Sequence, residues 1–400
     1  MRPVPIVLLL CVAEALSMSA FSTYPALLPV IREAWGLSNS AAGFLSGTFF
    51  GGYMIAVPVL TSLTDRLDAR RVYLFSASLS AIGALGFGLF AWGPGSALVW
   101  QAIAGAGLAG TYMPGLKILA DHIEGRHQSR SIAFYTSTFG LGTSVSFWLA
   151  GAMAIALSWR WAFAIAAIGP AIAGLLVAGA VPATPAPNQE TRPTGTFDVR
   201  RVLRPLRDPG AARFIAAYGA HCWELFGIRA WMTAFFTYAA SLAAAPWTPA
   251  TTAAAINLLG PIASILGNEV AVRIGRVRHV TTVMASSCVL ACLVGFAAGL
   301  PWIALLMVVG FYFLTVMADS ATLTAGVIAS ADRAERGAAM AIYSLSGFGA
   351  GFLAPLVMGA VLDASGGETR AVAWGLGFAS LALPTLMVLP ALARARTSGS

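Results

Sequence analysis

Charge is what this sequence has least of. Only 10% of its 400 residues are Asp, Glu, Lys or Arg, 58% are hydrophobic, and the mean hydropathy is +0.79. Soluble domains carry about 25% charged residues. A chain this short of polar surface cannot face water all round, which excludes a soluble enzyme and a disordered protein alike. Cysteine is scarce too. Cys11, Cys222, Cys288 and Cys292 all lie inside apolar runs, so buried thiols are expected rather than a disulfide framework or a metal knuckle. No P-loop, no H-E-x-x-H and no G-x-S-x-G occurs. Those absences argue against ATP-driven pumping, metal-assisted hydrolysis and a serine nucleophile. The net charge of +8 does not point to nucleic acid, because the basic residues fall in short clusters between apolar runs. No cofactor and no metal is expected. Asp121, His122, Glu124 and His127 resemble a metal cluster but fall in a charged loop, where solvation explains them.

What is present is long apolar runs. A membrane-crossing helix needs about 20 apolar residues, so twelve spans would use roughly 240 residues and leave short loops. The pattern predicts helices at 4–31, 38–63, 72–93, 97–121, 131–155, 159–182, 212–240, 249–275, 279–299, 301–328, 338–361 and 371–393. Turn residues punctuate them, as at Gly93-Pro94-Gly95 and Gly366-Gly367. Arg2 followed by an apolar stretch resembles a signal peptide, but the stretch resumes at Phe21–Ile31 without a clear cleavage site, so an uncleaved first helix is expected. The segment 183–211 is hydrophilic and rich in Pro, Thr and Arg. It divides the chain into an N-terminal bundle (1–182), a linker (183–211) and a C-terminal bundle (212–400). The expected fold class is an all-α membrane protein of twelve transmembrane helices, in two pseudo-twofold-related six-helix bundles.

Basic residues in short loops mark the cytoplasmic side. With an even number of helices, nineteen arginines fall on the side of the termini. Only Arg32, Arg160 and Arg370 fall on the other. The termini and the 183–211 segment are therefore expected to be cytoplasmic, with the protein in the inner (plasma) membrane. Lys117 and Arg229 remain inside the apolar runs.

The halves repeat. Leu63-Thr64-Asp65-Arg66-Leu67 follows the second helix and Val270-Ala271-Val272-Arg273-Ile274 follows the eighth. Tyr135 with Phe139-Gly140 matches Tyr343 with Phe348-Gly349 at nearly the same offset. Such duplicated bundles place ligand sites near the midplane between repeats.

The segment Leu63-Thr64-Asp65-Arg66-Leu67-Asp68-Ala69-Arg70-Arg71 resembles the loop between helices two and three of the major facilitator superfamily, written G-x-L-A-D-R-x-G-(x)-R-R. The resemblance extends over essentially the whole chain and implies a secondary transporter. It also implies that Asp65, Arg66, Arg70 and Arg71, with Arg273 in the second copy, form a cytoplasmic gate. Asp65 would meet the positive end of a helix dipole. Thr61 and Asp68 stand where the family has glycines, and Val272 replaces the second aspartate. The alternative is a positive-inside anchor. The arginine before Gly-x-Gly in helix four and the Gly-Pro signature in helix five, marks of proton-coupled drug exporters, are both missing. Gly105-Ala106-Gly107-Leu108-Ala109-Gly110 reads as G-x-G-x-x-G, but it lies in mid-helix, where small residues serve close helix packing.

Ionisable groups near mid-bilayer cost about 2.5–3.5 kcal/mol each on insertion scales and usually act. Glu14, His221, Glu224 and Arg229 lie near the middle of their helices, and Asp319 lies to the cytoplasmic side of centre. At about 100° per residue, Glu224 and Arg229 are roughly 140° apart around helix seven, too far to neutralise one another. The repeat sets Glu14 opposite His221. The expected roles are proton coupling by Glu14, His221, Glu224 and Asp319, and substrate binding by Arg229. Internal ion pairs that only fix packing are the alternative. Tyr24, Tyr112, Tyr135, Trp223, Asn257 and Tyr343 are candidate pocket residues. Lys117 is a further candidate, or else snorkels to the interface. Pro25, Pro114, Pro261 and Pro355 would weaken helices locally.

Together these readings predict a transporter that works as a monomer, with a small-molecule substrate, protons and the lipid bilayer as its partners and no nucleic acid. It would move a small polar or anionic solute by alternating access, coupled to protons. Export of drugs or metabolites is the alternative. An intramembrane enzyme or a channel would need signatures that are missing here.

Overall fold

The computed structural model describes residues 3–64, 66–123, 128–182, 203–332 and 335–397, and among them the chain is helical with no strand. Ten stretches are long and apolar enough to cross a bilayer, from Pro5–Trp35 to Ala371–Arg394. Pro94–His122 and Pro209–Leu242, of 29 and 34 residues, are long enough as well. They complete the twelve-helix count. The second of them carries His221, Glu224 and Arg229, which lower its apolar character.

The chain divides into two compact units, Met1–Trp35 with Thr48–Thr194, and Gly36–Gly47 with Gly195–Ser400. The first contains α1 (Pro3–Ser17), α2 (Thr23–Trp35), most of α3 (Asn39–Leu63), α4 (Ala69–Phe90), α5 (Pro94–His122), α6 (Gln128–Ala156), α7 (Trp159–Ala166) and α8 (Ile168–Ala180). The second contains α9 (Pro209–Leu242), α10 (Pro249–Asn257), α11 (Leu259–Ile274), α12 (Arg276–Val294), α13 (Trp302–Ala318), α14 (Ser320–Ser330), α15 (Arg336–Ala364) and α16 (Ala371–Thr397).

Several spans are broken helices, and side chains from other helices take up backbone groups at three of the breaks. The first span is interrupted by a 3-10 turn at Met18–Ala20. Pro25 has no N–H for the carbonyl four residues before it. Ser146 Oγ donates to the Ser19 carbonyl (2.7 Å) and accepts from the Ser22 N–H (2.9 Å). Pro170 likewise leaves the Ala166 carbonyl without a helical donor, and Ser19 Oγ fills the place at 2.7 Å. Between α13 and α14 the break falls at Asp319 without a proline, and His279 Nε2 donates to the Ala318 carbonyl at 3.1 Å. An apolar solvent leaves no water to satisfy such groups, so the side chains at each break are structural necessities.

The glycine run in α5 packs as a close-contact face. A Cβ at Gly105 would collide with the Phe49 carbonyl, one at Gly107 with Ser80, and one at Gly110 with Ser76. Among the described residues no strand precedes it, and the run lies within a helix, as expected for close packing.

The start of α3 belongs with the second unit for a specific reason. A helix leaves its first four N–H groups without partners. Asp363, near the end of α15, accepts from Asn39 N (3.0 Å), Asn39 Nδ2 (2.9 Å), Ser40 N (2.8 Å) and Ser40 Oγ (2.6 Å). Ser38 Oγ takes the Ala41 N–H, and the Ser38 carbonyl takes that of Ala42. Gly43 and Gly47, one turn apart, lie against the Pro355 and Phe352 carbonyls with no room for a Cβ. Asp363→Ala is expected to cost about 1–2 kcal/mol, the upper range for a lost helix cap. Thermal unfolding of the purified protein in detergent, compared with Asp363→Asn, measures it.

Candidate functional site

Glu14 sits in the last full turn of α1, immediately before the break, and is wholly buried. Tyr135 Oη donates to its Oε2 at 3.0 Å, and Ser17 Oγ lies 3.3 Å from the same oxygen. Oε1 has no hydrogen-bond partner. The Tyr135 ring stacks on Tyr112 with centroids 5.9 Å apart. Tyr53 and Tyr73 stand close enough to feel the carboxylate's charge. Glu14 thus meets two hydroxyls, those of Tyr135 and Ser17, and among the described residues no cation is paired with it. A hydrogen bond from a neutral donor to a charged group is worth about 1.5–3 kcal/mol. Two such bonds only partly offset the removal of a full charge from water.

Glu224, three residues after His221 on α9, has a similar environment in the second unit. Ser287 Oγ donates to its Oε2 at 3.0 Å, Tyr312 stands beside the same carboxylate, and among the described residues Oε1 is again unpartnered. Each unit therefore holds one buried glutamate on its first helix, met by one serine and one tyrosine. By environment the counterpart of Glu14 is Glu224, one helical turn from the residue that the repeat offset selects.

His221 pairs with a carboxylate instead. Its Nδ1 lies 2.7 Å from Asp319 Oδ1, and both side chains are buried. The pair joins α9 to the break between α13 and α14, whose freed Ala318 carbonyl is held by His279. Tyr218 stacks on His221 (5.9 Å) and on Tyr343 (3.5 Å), and the Tyr343 hydroxyl lies 2.6 Å from Thr324 Oγ1. Asp319 thus has a basic side chain beside it, in His221.

Arg229 and Asn257 come together. Arg229 Nε donates to Asn257 Oδ1 at 2.9 Å, and Asn257 Nδ2 donates to the Ala253 carbonyl at 2.9 Å, which fixes the amide's orientation. The guanidinium carbon is 5.9 Å from the Phe313 ring centroid. Asn257 is the last residue of α10, just before the break at Leu258. Glu224 and Arg229 thus meet different neighbours, Ser287 for the first and Asn257 for the second.

The remaining candidates divide. Tyr24 is buried and sets its ring edge-on to Phe87. Trp223 and Lys117 are half-buried. In the gate motif Asp65 lies outside the described residues, as do Glu124 and His127 of the charged loop. Asp68, where the family has glycine, caps α4 by accepting from Arg70 N at 3.0 Å. Arg70 Nη2 donates to the Ala178 carbonyl in the last turn of α8, where a cation complements the helix dipole. Arg66, Arg71 and Arg273 are exposed.

Sequence reasoning missed Ser17, Tyr53, Tyr73, Ser287 and Tyr312. Ser17 carries a local signal, since a serine three residues after a buried glutamate shares its face. The others are ordinary polar or aromatic residues of distant helices, and only tertiary packing assigns them to a carboxylate.

Broken helices around buried, hydroxyl-lined carboxylates, in a polytopic α-helical protein, define the class of a membrane transporter. The Major Facilitator Superfamily model matches residues 10–317, and the chain belongs to that family. It is 27% identical over 139 residues to an uncharacterized MFS-type transporter of Enterobacter sp. (strain 638), covering 35% of this chain and 36% of the relative. It is 28% identical over 166 residues to a probable 4-methylmuconolactone transporter of Cupriavidus pinatubonensis, covering 38% and 35%. The chain thus spans about a third of the length of the curated relatives it matches. Among solved structures it is similar to the nucleoside transporter NupG, with a TM-score of 0.76, 14% identity, and coverage of 98% of this chain and 99% of that one. A peptide transporter POT in complex with sulfate gives 0.75 at 13% identity, covering 98% and 94%. An inward-facing bacterial homolog of the human lysosomal transporter Spinster gives 0.74 at 13%, covering 98% and 95%. At these identities the likeness is one of fold.

Proposed function

We propose that this protein is a secondary active transporter that couples the passage of a small polar or anionic solute to protons. The observation that carries the proposal is the pair of buried glutamates, Glu14 and Glu224, each surrounded by hydroxyls. A carboxyl group so placed has a reason to take up and release a proton during a transport cycle, because hydroxyls serve either charge state and a fixed cation would serve only one. His221 and Asp319 form a second titratable pair on the same helix as Glu224. Arg229, held by Asn257, supplies positive charge for an anionic or strongly polar part of the solute. The curated relative named for 4-methylmuconolactone makes a small organic solute the first class to try. Both termini and the inner gate would lie on the cytoplasmic side of the plasma membrane, following the arginine bias. The protein would function as a monomer.

The test works without first naming the solute. Purified protein is screened by thermal shift against organic anions, amino acids, sugars, nucleosides and cationic drugs, and the screen is repeated on Arg229→Ala. Stabilisation by anions that disappears in the variant is the expected result. Stabilisation by lipophilic cations alone would overturn the anion reading in favour of drug or metabolite export. Hits then enter proteoliposomes with a trapped pH dye, where solute-driven proton movement tests the coupling.

A further inference from the structure

Tyr135 stands in the sequence as a pocket residue, but its hydroxyl has other work. It has one hydrogen to donate and three acceptors within reach: Glu14 Oε2 at 3.0 Å, the Tyr112 carbonyl at 3.1 Å and the Thr111 carbonyl at 3.5 Å. The first acceptor is on α1, the other two are on α5, and Tyr135 itself is on α6. The ring cannot drift to choose among them. It is wholly buried and stacked on Tyr112, and Gly115 leaves no space for a Cβ beside the hydroxyl.

We infer that Tyr135 is the positioning residue that reports the charge of Glu14 to α5, by reversing the direction of one hydrogen bond. This rests on the proton-carrying reading of Glu14. With the carboxylate ionised, the Tyr135 O–H donates to Oε2. When a hydronium from the bathing solution delivers its proton to Oε2 and leaves as water, the new carboxyl O–H donates to the Tyr135 oxygen. The Tyr135 hydrogen then turns to the Tyr112 carbonyl. No covalent bond forms or breaks apart from the one to the transferred proton. The result is a change of tether. Tyr135 ties α6 to α1 while Glu14 is charged, and ties α6 to α5 as well once it is neutral. Tyr112 lies two residues before Pro114, at the place in α5 where a missing N–H already weakens the ladder.

The neighbours on every packed element leave this role to Tyr135. Cys11 is on the same helix, Tyr53 faces Glu14 from α3, Tyr73 from α4 and Tyr112 from α5. The α8 helix contributes no titratable residue over Ile168–Ala180. Of the tyrosines, Tyr135 has its hydroxyl bonded to the carboxylate. Ser17 also reaches Oε2, at 3.3 Å, but both its acceptors belong to Glu14 on its own helix, so it carries no message to α5.

The experiment is pH-difference infrared spectroscopy on the full-length protein in lipid, with wild type, Glu14→Gln and Tyr135→Phe compared. The wild type should give protonated-carboxyl bands on acidification, accompanied by a change in tyrosine ring modes, and the Glu14 component and the tyrosine change that goes with it should vanish in Glu14→Gln while the Glu224 component stays. In Tyr135→Phe the carboxyl band should persist but move to higher frequency, as its hydrogen bond is lost, while the tyrosine change disappears. A wild-type carboxyl signal with no component lost in Glu14→Gln sinks the proton reading of Glu14 itself. A Glu14 band with no tyrosine signal in the wild type sinks this inference alone. It would place the proton on Oε1, which Tyr135 does not touch. Because the wild-type spectrum carries that decision, the inference stays testable even if Tyr135→Phe fails to fold.

Discussion

Proteoliposomes carrying Glu14→Gln are expected to lose solute-coupled proton movement down to the level of empty vesicles, while still binding the solute. The amide keeps the shape and can accept from Tyr135 and Ser17 much as the carboxyl does, so the fold should survive. What it cannot do is change charge. Coupling by a buried carboxyl depends on that change, since the cost of holding the ionised form out of water is what links the proton to the state of the protein. The same substitution at Glu224, in the matching shell of Ser287 and Tyr312, separates two schemes. If both single variants abolish proton movement but keep counterflow of unlabelled for labelled solute, the two glutamates act in one obligatory sequence. If only one does, the other is a structural carboxyl. Undiminished proton flux in both variants would end the proton assignment.

The second large effect concerns stability. His221→Ala should destabilise the protein by about 3–5 kcal/mol, because it leaves Asp319 buried without the imidazole that lies 2.7 Å away. Replacing both members, as His221→Leu with Asp319→Leu, should recover most of that loss. A buried pair is worth little relative to apolar residues of similar volume, whereas half a pair is costly. Unfolding in detergent of the wild type, His221→Leu, Asp319→Leu and the double variant measures the coupling. If the double variant loses as much stability as the two single variants added together, the pair is not an energetic unit. The double variant also asks whether the pair does more than pack. Its proton coupling should fall even where its stability is restored, since it sits beside Glu224 and bridges α9 to the break in the α13–α14 span.

Much of this protein was legible without any tertiary structure. Twelve spans follow from apolar run length alone, because in lipid the backbone must satisfy itself and helices are the way to do so. The breaks were partly legible: Pro25 and Pro261 lie just past interruptions at Met18–Ala20 and Leu258. The break at Asp319 carries no such mark, since its freed carbonyl is held by His279 from another helix. Arg229 and Asn257 were singled out separately for polarity in apolar runs, and their bond at 2.9 Å is a contact between helices that no local pattern encodes.

The sequence by itself determined that this is a duplicated helical membrane protein with titratable groups held deep in apolar helices, because burial cost makes each such residue conspicuous wherever it falls. Tertiary structure decided which groups answer one another. It put Tyr135 on Glu14, Ser287 and Tyr312 on Glu224, and Asp319 on His221, and it matched Glu14 to Glu224 rather than to the residue one turn away. Those assignments depend on how helices distant in sequence are rotated and broken against each other. Distances of a few ångströms, not periodicity along the chain, decide which side chains meet.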